Sequence, residues 1–495
     1  MNEVAGLALI SRASDPPSRR VRLASVAVIA ALTIGVFWPT VHNEFLPLGF
    51  DDSLITDTEA IRGLDWVHMR AMATEFVPAH YVPLTLLSLA LDYHWWALDP
   101  LGYHLTNVLL HALTAVLVYG FLSRLFRSAA APLVAALIFA LHPVQMEAVT
   151  VAIQRKTVLS GALFFVALIG YQRWCESHQR RWYVAALVAF AAAALAKPSV
   201  VTLPFVFMLY DYAFVDGRVR LADKLPFIAL SVPIMLAAVA AHAQIDALHA
   251  PHGGTWLAHL LMVSRVTLEY VTAMVVPLNL SPIYYYPREM AHAPLNFVAL
   301  AVIACACGAV VWHRRRCPWV FFGLAWFIVV LAPESNLVPL AQLRADRFLY
   351  LPVLTVAIAV AVLVERLSAR VFVMGSYGLI AVLAILTYTS AGVWHDDVRA
   401  WRRVVERHPW CGTAVHMLGV AYADAEQPTQ AFAAWTEAVR LNPDLADPHL
   451  YLARWYVTRG EPEVAGLEVD RYLALAPGNP DGLALRVQLG QGTGP

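Results

Sequence analysis

The sequence predicts an all-α protein in which a polytopic bundle of membrane helices is followed by a short solenoid of helical repeats. The first observation is compositional: 59% of the 495 residues are hydrophobic and 14% are charged, whereas soluble chains carry about 25% charged residues. The second is that apolar runs of about 17 to 25 residues, long enough to cross a bilayer, recur along the chain. The third is the spacing of Pro409, Pro443 and Pro477, which lie 34 residues apart, the period of a tetratricopeptide repeat.

The apolar runs predict about eleven membrane spans. Arginines precede the first run, and because positive residues stay in the cytoplasm, residues 1–22 are expected to form a cytoplasmic tail. A transmembrane domain then covers 23–395, with outer loops at 42–104 and 244–294. The predicted spans lie at about 23–41, 105–123, 130–149, 157–174, 182–197, 199–215, 225–243, 295–312, 318–332, 347–365 and 371–392.

One further apolar stretch, Trp256 to Pro277, is interrupted by Arg265 and Glu269. Counting it as a span would place the basic run 313–316 outside, against the usual distribution of positive charge. We therefore expect an interfacial or re-entrant helix within the second outer loop. The resulting odd number of spans puts the C-terminal segment on the extracytoplasmic side.

The C-terminal segment, 396–495, is predicted to be an extracytoplasmic tetratricopeptide-repeat domain. Its repeats cover about 412–445 and 446–479, and a capping helix follows at 480–491. Small residues and aromatics recur at the positions where paired helices of such repeats pack. Two roles stay open: the repeats brace the bundle, or their concave face holds a polypeptide.

Charge and cysteine content exclude two classes of function. The formal net charge is zero, and a nucleic-acid-binding protein would need a basic face. The five cysteines include no CxxC pair, so the spacing that is typical of a cysteine metal site is missing.

The most informative local feature is the acidic pair Asp51 and Asp52, which follows the first predicted span. Carboxylates beside a bilayer are costly unless they work at a wet surface, and this pair is expected on the extracytoplasmic side. It is the candidate catalytic base. Two alternatives stay open: the carboxylates hold a divalent metal together, or they are a solvated loop pair or helix N-cap.

Cations at the predicted outer ends of spans are candidates for binding a phosphate. Arg155 and Lys156 open one span and have Glu147 nearby, while Arg344 and Arg347 flank the start of another. An arginine can bind two phosphate oxygens at once, and Arg347 is the preferred ligand. Two alternatives stay open: Arg155 and Lys156 only anchor a helix end at the interface, and Asp346 neutralises one of the two arginines beside it.

Histidines cluster near the same outer ends, at His80, His104, His111 and His142. His80 and His104 are carried as further site candidates. Such residues are also commonly satisfied interior groups rather than ligands, and no His-x-x-x-His pair stands on one helix. The sequence identifies no cofactor beyond the divalent metal considered at the acidic pair.

An ordered series of motifs resembles a known family over most of the chain. The segments are Phe50-Asp51-Asp52, Tyr81-x-Pro83-Leu84-Thr85, Gly102-Tyr103-His104-Leu105-x-Asn107 to His111, His142-Pro143-Val144-x-x-Glu147, Ala196-Lys197-Pro198, Tyr210-Asp211, Ser335-Asn336-Leu337-Val338-Pro339 and Ala345-Asp346-Arg347 to Pro352, which contains Tyr350. In this order they resemble the transmembrane and tetratricopeptide-repeat O-mannosyltransferases, polytopic glycosyltransferases of the GT-C superfamily.

The resemblance implies a sugar donor on polyprenyl phosphate and a hydroxyl acceptor, often Ser or Thr of a protein. It makes Tyr350 a further site candidate. Two departures stand out: Val82 replaces the arginine that relatives tend to carry, and the chain has about two repeats instead of a long array. The compact form and short arginine-rich loops resemble a bacterial member, which implies the inner membrane and periplasmic repeats.

The leading hypothesis is therefore a membrane glycosyltransferase that moves a mannose-like sugar to an extracytoplasmic protein, presented through the repeats. In the same class, the acceptor is instead a glycan or a lipid. A different class is a non-catalytic membrane scaffold whose repeats recruit proteins. A transporter is the weakest alternative, because the notable charges crowd one face of the membrane and do not mark a path at its midplane.

Overall fold

The computed structural model describes residues 18–50, 52–75, 81–215, 217, 219–243, 250–314, 316–367 and 370–491. Within these ranges every regular secondary-structure element is a helix or helical turn, which confirms the predicted all-α class. The chain forms two compact units. The first comprises Met1–Leu46, Phe50–Leu280 and Tyr286–Trp394, and the second comprises Pro47–Gly49, Ser281–Tyr285 and His395–Pro495.

The first unit is built from fourteen helices of eight or more residues in the described ranges. They are α1 Arg19–Phe37, α2 Trp66–Thr74, α3 Pro83–Trp96, α4 Pro100–Leu122, α5 Ala130–Leu141, α6 Arg155–Ser177, α7 Arg180–Ala196, α8 Leu203–Tyr210, α9 Leu225–Ala243, α10 Trp256–Val275, α11 Pro294–His313, α12 Pro318–Leu331, α13 Leu354–Leu367 and α14 Arg370–Ser390.

Short helical segments connect them. These are Trp38–His42, Pro47–Phe50, Ser53–Asp57, Glu59–Arg62, Pro143–Gln145, Met146–Thr150, Ala152–Gln154, Pro198–Thr202, Asp211–Val215, Leu221–Lys224, Arg288–His292, Ala332–Glu334, Asp346–Leu349 and Ala391–Trp394.

Seven helical segments in the described ranges are long and apolar enough to cross a bilayer, and they show an integral membrane protein. They are Arg19–His42, Pro100–Leu122, Ala152–Ser177, Pro198–Val215, Leu221–Ala241, Pro294–Trp312 and Arg370–Trp394. Three more predicted spans correspond to α7, α12 and α13, which are 17, 14 and 14 residues long. A full crossing takes about 20 residues, so these three are short for spans.

The one predicted span not yet described, 130–149, is broken rather than continuous. Helix α5 ends at Leu141, and the helical segment Pro143–Thr150 continues at an angle of 50° to it. Pro143 explains the break, because proline has no N–H to donate and its ring clashes with the preceding turn. The segment that follows, from Val151 to Gln154, is a bend and one short helical turn, and it is buried throughout. Irregular backbone inside a membrane bundle must find its hydrogen-bond partners within the protein.

The predicted first outer loop, 42–104, contains more regular structure than the sequence suggested. It includes α2 and α3, and α3 buries Thr85, Leu86, Leu89, Ala90 and Asp92. The stretch predicted as interfacial or re-entrant is one continuous helix, α10, of 20 residues. It is not among the segments apolar enough to span, so its interfacial position stays a prediction.

The second unit contains α15 Asp397–Arg407, α16 Gly412–Asp424, α17 Pro428–Leu441, α18 Ala446–Thr458, α19 Pro462–Leu475 and α20 Pro480–Gln491. Proline begins the second helix of each pair and the final helix, a position where its missing N–H costs nothing. Gly419 allows α16 and α17 to approach, because a Cβ there would lie 2.5 Å from the Trp435 ring. Helix pairs of this length are typical of tetratricopeptide repeats.

Candidate active site

The buried irregular segment around residue 151 is held by Asn107 of α4. The Asn107 Nδ2 group donates to the carbonyl oxygens of Val149, Val151 and Ala152 at 3.2–3.3 Å. One amide group therefore donates to three carbonyl oxygens within four residues of buried backbone. This contact explains why an asparagine stands in a helix of mostly apolar residues.

Asp52 holds the same segment from the other side. Its carboxylate is fully buried and accepts backbone N–H groups from Leu46 at 2.9 Å, Ile153 at 2.8 Å and Ala152 at 3.4 Å. Asp52 therefore joins the start of the first outer loop to the buried segment, and we do not retain it as a candidate base. Asp51, the other member of the predicted catalytic pair, lies outside the described residues.

Arg155 also has a structural position. Its side chain is completely buried, Nη2 donates to Asp92 at 2.5 Å, Nε to Asn107 at 2.6 Å and Nη1 to Ser88 Oγ at 2.8 Å. Because each of its three nitrogens already donates to a protein oxygen, we remove Arg155 from the proposed phosphate ligands. Lys156, the next residue, is also buried, with 6% of its surface exposed.

Glu147 and Arg347, which are both predicted site residues, form an ion pair. The Arg347 backbone N–H donates to Glu147 Oε2 at 2.8 Å, and the guanidinium Nη1 donates to Oε1 of the same carboxylate. Its Nη2 donates to Gln342 Oε1. Glu147 is buried while 16% of the Arg347 side chain is exposed. The carboxylate thus fixes a guanidinium that still reaches an open surface.

That surface is a small cleft that is partly open to solvent. Its polar lining residues are Thr157, Ser160, Lys197, Ser199, Thr202, Glu334, Arg347 and Tyr350, and its apolar ones are Val200, Val330, Phe348, Leu351 and Pro352. Hydroxyl groups and two cations stand beside an apolar wall. Such a lining suits an amphiphile with a negatively charged head.

Two charged residues of the cleft were not among the predicted site residues. Lys197 Nζ lies 2.5 Å from Glu334 Oε1 and donates to Thr157 Oγ1 at 3.2 Å. Lys197 belongs to one of the recognised motifs, but it follows an apolar run and looks in sequence like an anchor at a helix end. Glu334 lies just before another motif and carried no signal of its own.

Arg344 belongs to a separate ion-pair cluster, which it forms with Glu269 of α10. Its Nη1 donates to Glu269 at 2.9 Å, and its Nη2 lies 3.8 Å from Asp346. Burial raises the pKa of Glu269, but hydrogen bonds from Tyr286 and Arg265 outweigh it and hold that pKa below its ordinary value. Arg344 does not line the cleft that contains Arg347.

The remaining predicted residues divide between the cleft and the interior. Tyr350 lines the cleft, and its hydroxyl lies 3.0 Å from Nδ1 of the buried His111. Gly161 makes room for the tyrosine, because a Cβ there would lie 2.5 Å from its ring. His104 is buried, with 1% of its surface exposed, and does not line the cleft. His80 lies outside the described residues.

A metal at the acidic pair stays a prediction. In the ranges that the structure describes, no three His, Cys, Asp or Glu side chains are grouped so that they could hold an ion. Both Asp52 oxygens accept backbone N–H groups. Metal binding at the pair would therefore depend on Asp51.

Comparisons with known proteins give the following relationships. Residues 101–244 match the family model described as dolichyl-phosphate-mannose-protein mannosyltransferase. The chain is 37% identical over 146 residues to protein O-mannosyl-transferase tmtc2 of Xenopus laevis, which covers 28% of this chain and 17% of that one. It is 28% identical over 209 residues to human protein O-mannosyl-transferase TMTC3, covering 40% and 22% of the two chains.

The matches thus span about a fifth of the length of these relatives. Among solved structures, ArnT from Cupriavidus metallidurans bound to undecaprenyl phosphate matches over 94% of this chain and 77% of that chain, at 14% identity and a TM-score of 0.36. The region matched by the family model includes Asn107, Glu147, Arg155 and Lys197. The sequence matches confirm the resemblance that the motifs predicted, and the matched parts of the chain are similar to the transmembrane and tetratricopeptide-repeat O-mannosyltransferases.

Proposed function

We propose that the chain is a membrane glycosyltransferase that moves a mannose-like monosaccharide from a polyprenyl-phosphate donor to a hydroxyl group, most simply Ser or Thr of an extracytoplasmic protein. The observation that carries the proposal is the cleft at Arg347, where a guanidinium fixed by Glu147 stands beside hydroxyl groups and an apolar wall. The relatives named as protein O-mannosyl-transferases support the same chemistry.

The donor phosphate is assigned to Arg347. A guanidinium presents parallel N–H groups that match two phosphate oxygens, and Glu147 and Gln342 orient this one through one terminal nitrogen each. The apolar residues of the cleft suit the first isoprene units of the lipid. Arg344 and Lys156 are secondary candidates, since Arg344 lies in a separate ion-pair cluster and Lys156 is buried.

Asp51 is assigned as the base. In the reaction, the acceptor oxygen attacks the anomeric carbon and gives its proton to the carboxylate, while the bond from that carbon to the phosphate oxygen breaks. The electron pair of this bond leaves with the phosphate, so negative charge grows where Arg347 stands. Asp52 fixes the loop that carries Asp51 by binding the backbone of Ile153 and Leu46.

The membrane orientation follows from the distribution of charge. Residues 1–22 are assigned to the cytoplasm, 23–395 to the transmembrane domain, and 396–495 to an extracytoplasmic repeat domain that receives the acceptor protein. The short arginine-rich loops favour a bacterial inner membrane, with the repeats in the periplasm.

The direct test is mass spectrometry of extracytoplasmic proteins from cells that lack the chain and carry it again as wild type, D51N or D57N. Asp57 is an exposed acid of the same loop and serves as the matched control. We expect hexose on Ser or Thr with wild type and D57N, and none with D51N at equal abundance in the membrane. Full modification by D51N would remove the proposed mechanism.

The same experiment separates the acceptor classes. Hexose on a lipid or glycan, without change in any protein, would support the alternative acceptor. No change in any fraction would favour the non-catalytic scaffold.

Arg347 is tested separately, by the dependence of the transfer rate on donor concentration. R347M should raise the donor KM by roughly ten- to a hundredfold, because one charge-assisted contact is worth about 1.5–3 kcal/mol. R124M removes an arginine that pairs with the surface residue Glu176 instead, and it should leave the KM unchanged. Equal effects of the two substitutions would refute the assignment.

A further inference from the structure

The cleft contains a second cation whose role the proposed function does not use. Lys197 lines it together with Arg347, and its ammonium group contacts Glu334 at 2.5 Å and the Thr157 hydroxyl at 3.2 Å. An ammonium group has three donors, and these two contacts use two of them.

The backbone places Lys197 at the cleft by local rules. Helix α7 ends at Ala196, and Lys197 is extended, with φ −152° and ψ 116°, because a residue before proline avoids the helical region. Thr85 of the second motif donates its hydroxyl to the Ala196 carbonyl at 2.9 Å. The main chain is therefore fixed, while the four-carbon side chain of Lys197 can still change its direction.

The Lys197–Glu334 pair differs from an ion pair that only braces the bundle. Lys224 and Asp211 form such a brace, with 0% and 2% of their side chains exposed, and Tyr171 also donates to Asp211 at 2.8 Å. Lys197 and Glu334 are 15% and 13% exposed and both line the cleft. A charged ligand that enters the cleft can therefore reach them.

We infer that Lys197 is a second ligand for the phosphate of an isoprenoid lipid, and that Glu334 holds Lys197 until this phosphate replaces the carboxylate. The inference rests on the proposed function. It also fits the charge balance of transfer, because a sugar-linked phosphodiester carries one negative charge and the released monoester carries up to two. Lys197 and Arg347 together would stabilise the added charge.

This exchange predicts that substitutions of the two partners change the affinity for lipid phosphate in opposite directions. Glu334 competes with the phosphate for Lys197, so removal of the carboxylate charge should strengthen lipid-phosphate binding. Removal of the lysine charge should weaken it. In a pair that serves only as a brace, the two substitutions would act in the same direction, because each would leave one partner without its counter-charge.

The test measures binding of sugar-free undecaprenyl phosphate to the purified full-length protein in detergent, by native mass spectrometry over a range of lipid concentrations. K197M should weaken binding by roughly ten- to a hundredfold, as expected for one lost charge-assisted contact. E334Q should tighten binding, the double variant should resemble K197M, and K197R should stay near wild type. E176Q, on the surface pair with Arg124, is the control and should bind like wild type.

The inference is overturned if E334Q weakens binding, or if both single variants bind like wild type. Should K197M fail to fold, E334Q still decides the question, because tighter binding supports the exchange and weaker binding refutes it.

The two proposals can fail separately. If the folded wild type binds no lipid phosphate, the donor class is wrong and the inference about Lys197 falls with it. If the wild type binds and neither Lys197 nor Glu334 matters, only this inference fails.

Discussion

Replacement by asparagine should have different effects at the neighbouring acids Asp51 and Asp52: it should lower stability at Asp52 and abolish transfer at Asp51. Asp52 is buried, and its two shortest contacts use different oxygens, with Ile153 N–H on Oδ1 and Leu46 N–H on Oδ2. Asparagine can keep only one of them, because its amide nitrogen would point at an N–H donor. Loss of the charged acceptor from one buried N–H costs about 1.5–3 kcal/mol.

The assay is unfolding of the purified full-length protein in mixed micelles, with increasing denaturing detergent and helical content as the readout. D52N should unfold at clearly lower denaturant than wild type, whereas D57N should not. D51N should keep wild-type stability and lose transfer. If D52N is as stable as D57N but inactive, Asp52 acts in the chemistry and its assignment as an anchor is refuted.

Three other predictions follow from the described contacts. R155M should cost about 3–5 kcal/mol because it leaves the buried Asp92 charge without its partner, and adding D92N should restore part of the stability in the same unfolding assay. G161A should cost about 1–3 kcal/mol by crowding the Tyr350 ring, and should also raise the donor KM. Burial lowers the pKa of His416 to about 4, so the unfolded repeats bind a proton below about pH 6.5 that the folded ones do not. Their stability should therefore fall by about 1.4 kcal/mol per pH unit between pH 6.5 and 4, measured by hydrogen-exchange protection.

Each of these has a control or a contrary outcome. G375A adds a Cβ at a position with open space around it, and equal effects of G375A and G161A would contradict the steric argument. H416Q should remove the acid sensitivity of the repeats, and an unchanged pH profile would show that another group causes it. A double variant R155M/D92N less stable than R155M alone would contradict the ion-pair argument.

The parts of the fold that depend on local pattern could be predicted from the sequence. Apolar runs fix helices because each must satisfy its own backbone in the bilayer, and a proline every 34 residues fixes the repeats. Pro143 is visible in the sequence, but the apolar run around it predicts one continuous span instead of a break. Nothing local indicates that the segment after it is buried and held by Asn107.

The sequence predicted individual site residues, but it did not predict which of them contact each other. Glu147 and Arg347 were both singled out, yet they are 200 residues apart, and a single sequence does not show that they meet. Arg155 was assigned to the phosphate because it lies at the outer end of a span, while its partner Asp92 lay in a stretch predicted as a loop. Lys197 was not predicted as a site residue, because its partner Glu334 comes from a turn far away in the sequence.

The most direct test of the central claim is transfer by the purified wild-type protein in nanodiscs, supplied with synthetic mannosyl-phosphoryl polyprenol and a Ser- and Thr-containing protein acceptor. We predict that each hexose gained by the acceptor is matched by one polyprenyl phosphate released, and that D51N gives neither product. The claim is contradicted if the folded wild type binds the donor but releases no polyprenyl phosphate with any acceptor, whether protein, glycan or lipid.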